Sequence, residues 1–364
     1  MEKLGKIVGK FVSGDKIQVS PLGAGHINDS YKVSVDGKEY VLQRINHSIF
    51  KNIPELQNNI LRVTSHIRKK LLKKGVQDVE RRVLNLIAAQ DGLLYHEDES
   101  GNYWRLMDFI KNSTSFDKIN PELAGKAGEA FGEFQNMLAD LHGGPLYETI
   151  PNFHNMESRL DTFWDAVRQN RAGRFFEVYD LVQEIEKRVD EMCLPEKLHR
   201  EGRLPKRTNH CDTKVNNLLF NAEGTEVLCV VDLDTVMPGY VLSDFGDFIR
   251  TGANTGAEDD TNLDNVSIDL RIFEAYTNGY LTTAKDFLTG TEIDNLALGA
   301  KLLTYMQTVR FLTDYLDGDI YYKIKSTKHN LERSLAQFKL LQSMEENYAE
   351  MQTIVDIAVN NANK

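Results

Sequence analysis

Two short apolar runs, residues 218–220 and 227–231, are joined by the turn-rich Asn221-Ala222-Glu223-Gly224 inside a stretch that otherwise reads as helix. Such a segment is a hairpin, and a hairpin folds its own ends together. The polar residues at those ends are Asn217, just before the first run, and Asp232, just after the second, with Asp212 on the loop that leads in. Any fold open to this chain must gather these three side chains around one small piece of sheet.

The flanking sequence says what surrounds that piece. Across residues 17–110, strand-like runs alternate with turns, and Asp36-Gly37 between residues 31–35 and 40–45 is a strong hairpin signal. Residues 54–74 read as one amphipathic helix, with Leu56, Ile60, Val63, Ile67 and Leu71 on one stripe, and residues 103–110 form a further strand. After Lys111 helices dominate. Asn120-Pro121 is a cap with a first-turn proline, and helices are expected over 121–141, 156–170, 175–192, 270–283, 292–316 and 328–359. The expected class is α+β: a small antiparallel sheet with a helix in residues 1–110, and a larger, mostly helical region in residues 111–364 carrying the hairpin.

With 364 residues and 41% hydrophobic content, the chain can bury one large core or two smaller ones. Its net charge of -11 would repel phosphodiester backbones, so neither nucleic acid nor an anionic membrane is expected as a partner. Cys193, Cys211 and Cys229 are odd in number and widely spaced, which suits no disulfide framework and fits a reducing cytoplasm. No segment has the length and apolarity of a membrane span, and the lysine-broken N-terminus resembles no secretion signal. The oligomeric state stays open, and a monomer suffices.

Asn217 with Asp232 suits magnesium, a hard cation that keeps several waters and takes one or two carboxylates beside substrate phosphates. The spacing His210-x-Asp212-x-x-x-x-Asn217 reproduces a kinase catalytic loop, in which the Asp accepts the attacking hydroxyl's proton and the Asn is a metal ligand. Asp234 is a further candidate metal contact. Asp244-Phe245-Gly246 spells the protein-kinase magnesium motif, yet it lies too far from Asn217 to close the same hairpin. Asp244 and Asp247 are instead expected to hold loop backbone, and His210 to pack the loop. Turn capping by Asp212 and Asn217 is the plainer alternative. A kinase-shaped binding module would lack the base or a metal ligand, and both are present. A hydrolase built on His210, Cys211 and Asp212 fails because neighbouring side chains on one loop point apart.

A phosphate cover is expected from the N-terminal sheet, where Gly23 and Gly25 sit in a turn that runs into the strand at Tyr31. Residues 103–110 read as the last strand of that sheet and a hinge, so backbone groups of Asp108, Phe109 and Ile110 are expected to bind adenine.

These residues resemble the aminoglycoside phosphotransferase and choline kinase superfamily, small-molecule relatives of protein kinases. The likeness narrows at GHIN (25–28), VLQRIN (41–46), FGEFQN (131–136), DTKVNN (212–217), DLDTVMPG (232–239) and RFLTDYLDGDIYY (310–322), which look like bacterial N-acetylhexosamine 1-kinases over nearly the whole chain. The resemblance implies a bilobal protein-kinase-like fold and transfer of phosphate from ATP, with Mg2+, to the anomeric hydroxyl of N-acetylglucosamine or N-acetylgalactosamine. It carries the base to Asp212, the metal to Asn217 and Asp232, and sugar contacts to His26, Asp212, Arg310 and Tyr321. Arg310 has a second reading, an ion pair with Asp314 one turn on, and Tyr321 and Tyr322 either stack on a sugar or pack the core. The chain departs from the kinase pattern at the phosphate-pairing lysine: Gln43 holds the inward register, and Arg44 would supply the charge only across a bulge. The nearest rival is a related kinase for another hydroxyl, such as homoserine, methylthioribose or an aminoglycoside, and Glu258 to Asp260 would suit a cationic acceptor.

Overall fold

The computed structural model describes residues 2–23 and 27–362, so Gly25 and His26 lie outside the described residues. Helix α1 (Glu2–Val8) precedes strands β1 (Ile17–Pro21), β2 (Asp29–Val35) and β3 (Lys38–Ile45). Asp36 and Gly37 have φ of +50° and +88°, the pair of positive values that a two-residue hairpin turn needs, and Val35 stands opposite Lys38. Helix α2 (Ile53–Lys73) is capped by Asn52, which accepts the Glu55 N–H at 3.2 Å, and it buries Leu56, Ile60, Val63 and Ile67 as its stripe requires. Strands β4 (Leu86–Ile87), β5 (His96–Glu97), β6 (Tyr103–Asp108) and β7 (Ser113–Thr114) follow. The antiparallel sheet runs β1-β2-β3-β6-β4, with β5 also paired to β6. Val33, Leu42, Trp104 and Leu106 form its core with Ile7 and Val8 of α1.

The helical region holds α3 (Pro121–Leu138), α4 (Met156–Gln169), α5 (Tyr179–Glu186), α6 (Val189–Met192) and α7 (Leu194–Arg200). Strands β8 (Arg207–Asn209), β9 (Leu218–Asn221), β10 (Val227–Val230) and β11 (Met237–Gly239) come next. Helices α8 (Val241–Gly252), α9 (Leu270–Ala284), α10 (Gly290–Asp294), α11 (Leu296–Asp317), α12 (His329–Glu346) and α13 (Tyr348–Asn361) complete the chain. Among the described residues no helix is long and apolar enough to cross a membrane.

Three of the expected helices are interrupted. Asn295 separates α10 from α11, Asn347 separates α12 from α13, and a 3-10 turn at Phe175–Val178 opens the segment that was expected to be one helix to Met192. An asparagine competes for nearby backbone groups and favours helix ends, whereas the apolar spacing that marks a helix carries on across a break of one residue. The Asn347 side chain donates back to the Ser343 carbonyl at 2.8 Å. Helix α8 was not expected. It places Asp244, Phe245 and Gly246 inside a buried helix, where a Cβ on Gly246 would stand 2.0 Å from the Gly299 carbonyl oxygen of α11. Close helix packing, not metal binding, explains that glycine.

The chain forms two compact units. The first comprises Met1–Ser115, Asp140–Pro151 and Leu218–Met237, and the second Phe116–Ala139, Asn152–Asn217 and Pro238–Lys364. The first unit holds the antiparallel sheet and the hairpin β9–β10, in which Leu218 pairs with Val230 and β9 pairs in turn with β7. In the second, Phe163, Tyr305, Leu312 and Leu341 centre a core built on α11.

Candidate active site

In the second unit the loop that carries Asp212 is held from behind by Asp244. The Asp244 carboxylate accepts the backbone N–H of His210 at 2.8 Å and of Cys211 at 2.7 Å, and its carbonyl accepts the Thr213 hydroxyl at 2.5 Å. Gln135 of α3 donates to the same carboxylate at 2.8 Å and is itself fixed by the Tyr280 hydroxyl of α9 at 2.5 Å. Three helices therefore converge on two loop N–H groups, which lets Cys211 adopt φ +63°, a left-handed conformation that few residues other than glycine take. Asp244 plays the backbone-holding role expected of it. Asp247 does not: its carboxylate pairs with Arg250 at 2.9 Å. His210 packs edge-on between Phe131 and Phe134, at 6.0 and 5.9 Å between ring centroids.

Asp212 and Asn217 are brought together. The Asn217 amide donates to the Asp212 carbonyl at 2.7 Å and to its carboxylate at 3.3 Å, which leaves the Asn217 Oδ1 as the oxygen available to a hard cation. Lys214 Nζ stands 2.8 Å from Asp212 Oδ1. Burial alone would raise the Asp212 carboxyl, but Lys214, with the His210 and Arg250 charges, holds it below the usual carboxylate range. The side chain is thus ionised and fixed in place, as a general base must be. Lys214, two residues past Asp212, was overlooked at the sequence level although its spacing was in plain view.

A second group of side chains in this unit involves Arg310. Its guanidinium lies over Phe153 at 5.2 Å and over Tyr322 at 5.7 Å, and donates to Gln307 at 3.0 Å. The pair with Asp314 is absent, because the Asp314 carboxylate is taken by the N–H groups of Ile320, Tyr321 and Tyr322 and by Asn330. Tyr321, the expected sugar contact, is exposed and meets Tyr322 edge-on at 4.8 Å, while Tyr322 is the tyrosine beside Arg310. His154 and Arg159, which no sequence pattern singled out, adjoin the same ring of Phe153. Burial pushes His154 down to about 3, with Arg310 and Arg159 adding to the shift and Asp212 opposing it.

In the first unit, Asp232 is exposed at φ +59° and opens the turn Leu233–Thr235. Asp234, the further candidate metal contact, is engaged by side chains of this unit. It is 2% exposed, and its two oxygens are occupied by the forked guanidinium of Arg105, with Nη2 to Oδ2 at 3.0 Å, and by the Asn28 amide at 2.5 Å. Arg105 also donates to Gln43 Oε1 at 2.9 and 2.6 Å, and Gln43 donates to the Ser30 hydroxyl at 2.9 Å. Of the two candidates for the missing lysine, Gln43 stands opposite Arg105 and Ser30, whereas Arg44 is on the exposed side, paired with Asp29. The buried cation of this sheet is Arg105, a charged residue in the apolar run Tyr103–Asp108, which a closer reading of strand alternation would have flagged.

Around the expected adenine contacts, the Asp108 and Phe109 N–H groups donate to the carbonyls of Asn85 and Glu39 at 3.1 and 3.2 Å. The Ile110 carbonyl accepts the Ser113 hydroxyl at 2.7 Å, and among the described residues the Ile110 N–H has no partner. Gly23 turns at φ +66°, just after Leu22 donates its N–H to the Ser30 carbonyl at 2.9 Å.

Solved structures share this arrangement of an antiparallel N-terminal sheet and a helical C-terminal region. A microcompartment-associated aminopropanol kinase is 13% identical, with 96% of this chain and 98% of that chain covered at a TM-score of 0.61. A spectinomycin phosphotransferase bound to ADP and spectinomycin is 15% identical, with 96% and 98% covered at 0.57. An ethanolamine kinase of Plasmodium vivax is 12% identical, with 88% and 82% covered at 0.52. At such identities the likeness is one of fold, and the fold is the protein-kinase-like one expected. The sequence profile of the phosphotransferase enzyme family (APH) matches residues 18–281, most of the chain, and the chain belongs to that family.

Proposed function

We propose that this chain transfers the terminal phosphoryl group of ATP to the anomeric hydroxyl of N-acetylglucosamine or N-acetylgalactosamine in the cytoplasm. The observation that carries the reading is the Asp212 carboxylate, kept ionised by Lys214 on a loop whose backbone Asp244 holds. Such a group accepts the proton of the attacking hydroxyl, and an anomeric hydroxyl is acidic enough for a carboxylate of low pKa to serve. Asn217 and Asp232 would hold Mg2+, which neutralises the charge of the phosphates. The Ile110 N–H, which has no partner among the described residues, suits an adenine ring nitrogen, and the turn at Gly23 suits a phosphate cover. The acetamido sugar is supported by the likeness at GHIN and RFLTDYLDGDIYY, and by Arg310, which has no carboxylate partner among the described residues.

An amino-alcohol acceptor, as in the aminopropanol and ethanolamine kinases of similar fold, is the alternative. The acidic residues that would favour it are engaged elsewhere: Glu258 pairs with Arg250 at 2.9 Å, and Asp259 with Lys325 and His329 at 2.6 and 3.0 Å. The test is ADP release with Mg-ATP on N-acetylglucosamine, N-acetylgalactosamine, galactose, homoserine and kanamycin, followed by phosphorus NMR of the product. A sugar 1-phosphate from the acetamido sugars is the expected result. Turnover confined to homoserine or kanamycin would reject the sugar reading.

A further inference from the structure

We propose that His154 and Arg159 join Arg310 in an oxygen-recognising wall of the acceptor site, so that the enzyme takes uncharged or anionic acceptors and rejects cationic ones. The inference rests on the kinase reading above, with Asp212 as base, and adds two specificity-determining residues and a charge rule to it.

Two guanidiniums share one aromatic ring. The guanidinium carbons of Arg159 and Arg310 lie 5.8 and 5.2 Å from the centroid of Phe153. Arg159 donates Nε and Nη2 to the Phe153 carbonyl at 3.1 and 2.7 Å, and Arg310 donates Nη1 to Gln307. Among the described residues neither has a carboxylate partner, and the Arg310 Nε and Nη2 donate to nothing. Two half-buried guanidiniums that share one ring, with no carboxylate between them among the described residues, call for electron-rich atoms from elsewhere.

The third member is His154, whose ring stacks on Phe153 at 4.5 Å and 17°. Its Nδ1 is shut off from solvent and has no hydrogen-bond partner among the described residues, which is costly unless a ligand completes it. The Asp212 charge acts on His154, which puts the group within electrostatic reach of the base.

The carboxylates of this unit are already engaged: Asp212 by Lys214, Asp247 and Glu258 by the one guanidinium of Arg250, and Asp314 by backbone N–H groups and Asn330. An ammonium bound against this group would face two guanidiniums. A carbonyl, hydroxyl or phosphate oxygen would find N–H donors.

The test compares acceptors that differ in charge at one position: N-acetylglucosamine with glucosamine, and N-acetylgalactosamine with galactosamine, alongside glucose, galactose and ethanolamine. Like-charge contact of this kind predicts a wild-type kcat/KM at least about a hundredfold higher for each neutral acceptor than for its ammonium counterpart. Arg159→Met should raise the acceptor KM by about tenfold and narrow that ratio by about as much, with the KM for ATP unchanged, while Arg159→Lys keeps the ratio. His154→Leu should raise the acceptor KM in the same direction and serves if Arg159→Met fails to fold, as the KM for ATP and the melting curve report. A wild-type preference for the amines overturns the charge rule, and an unchanged ratio and acceptor KM in the variants overturn the wall. Activity on glucose or galactose alone would remove the acetamido sugar from the proposed function while leaving this inference standing. If no acceptor is turned over, calorimetric binding of the same panel decides, and failure of every neutral sugar to bind overturns it.

Discussion

Replacing Arg105 by Met keeps the aliphatic stem within the sheet and deletes the guanidinium. Arg105 and Asp234 are each 2% exposed, so the carboxylate left behind stays out of water, with the Asn28 amide at 2.5 Å as its remaining side-chain donor, and Gln43 loses two hydrogen bonds. Removing one partner of a buried, hydrogen-bonded ion pair costs about 3–5 kcal/mol, a third or more of the stability of an ordinary domain. Asp234→Leu alone should cost about as much, since it strands the guanidinium instead. The double variant has no charge left to bury and should cost far less than the sum, giving a coupling of roughly 3 kcal/mol or more. Urea unfolding followed by circular dichroism measures all three. Simple additivity would refute the argument that the pair is held by mutual charge compensation. The same set decides what Asp234 does. As an anchor it should, when changed to Asn, lower stability and leave Mg-ATP affinity of the folded protein near that of the parent; loss of metal-dependent nucleotide binding at unchanged stability would restore it as a metal ligand.

Asp212→Asn should leave ATP binding nearly intact and lower kcat by about two to four orders of magnitude, as expected for loss of a general base, and steady-state kinetics with direct nucleotide titration separates the two. Glu196 is buried at 4% exposure, and burial pushes it up to about 7 although it accepts the Met156 N–H at 2.7 Å at the start of α4. Its folded pKa exceeds its unfolded one, so the folded state holds the proton more tightly and stability falls as pH rises from about 4.5 toward 7. Glu196→Gln removes that loss, worth up to about 3 kcal/mol above pH 7, and should raise the melting temperature at pH 8 but not at pH 4; equal effects at both would refute the assignment. Gly246→Ala places a methyl 2.0 Å from the Gly299 carbonyl oxygen and should destabilise by about 1–3 kcal/mol or more, which thermal unfolding reads directly.

Local rules were enough for most of the chain's elements and for part of its site. The hairpins at Asp36-Gly37 and around residues 221–224, the stripe of α2 and the cap at Asn120 follow from turn chemistry and apolar period, which depend on neighbours a few residues apart. So does the closeness of Asp212 and Asn217, which one short loop enforces. What tertiary structure alone decided is how polar and charged groups are shared between distant segments. Asp234 looks from its neighbours as open to a metal as Asp232, yet Arg105, 129 residues away in sequence, takes it. Arg310 has Asp314 one turn away and still does not pair with it, because the chain folds back and spends that carboxylate on residues 320–322. His154 and Arg159 carry no motif, and a shared ring of Phe153 is what makes them neighbours of Arg310. Periodicity reports which face of an element is apolar, and the pairing of a charge depends on which segment is packed against it, a relation that no local pattern contains.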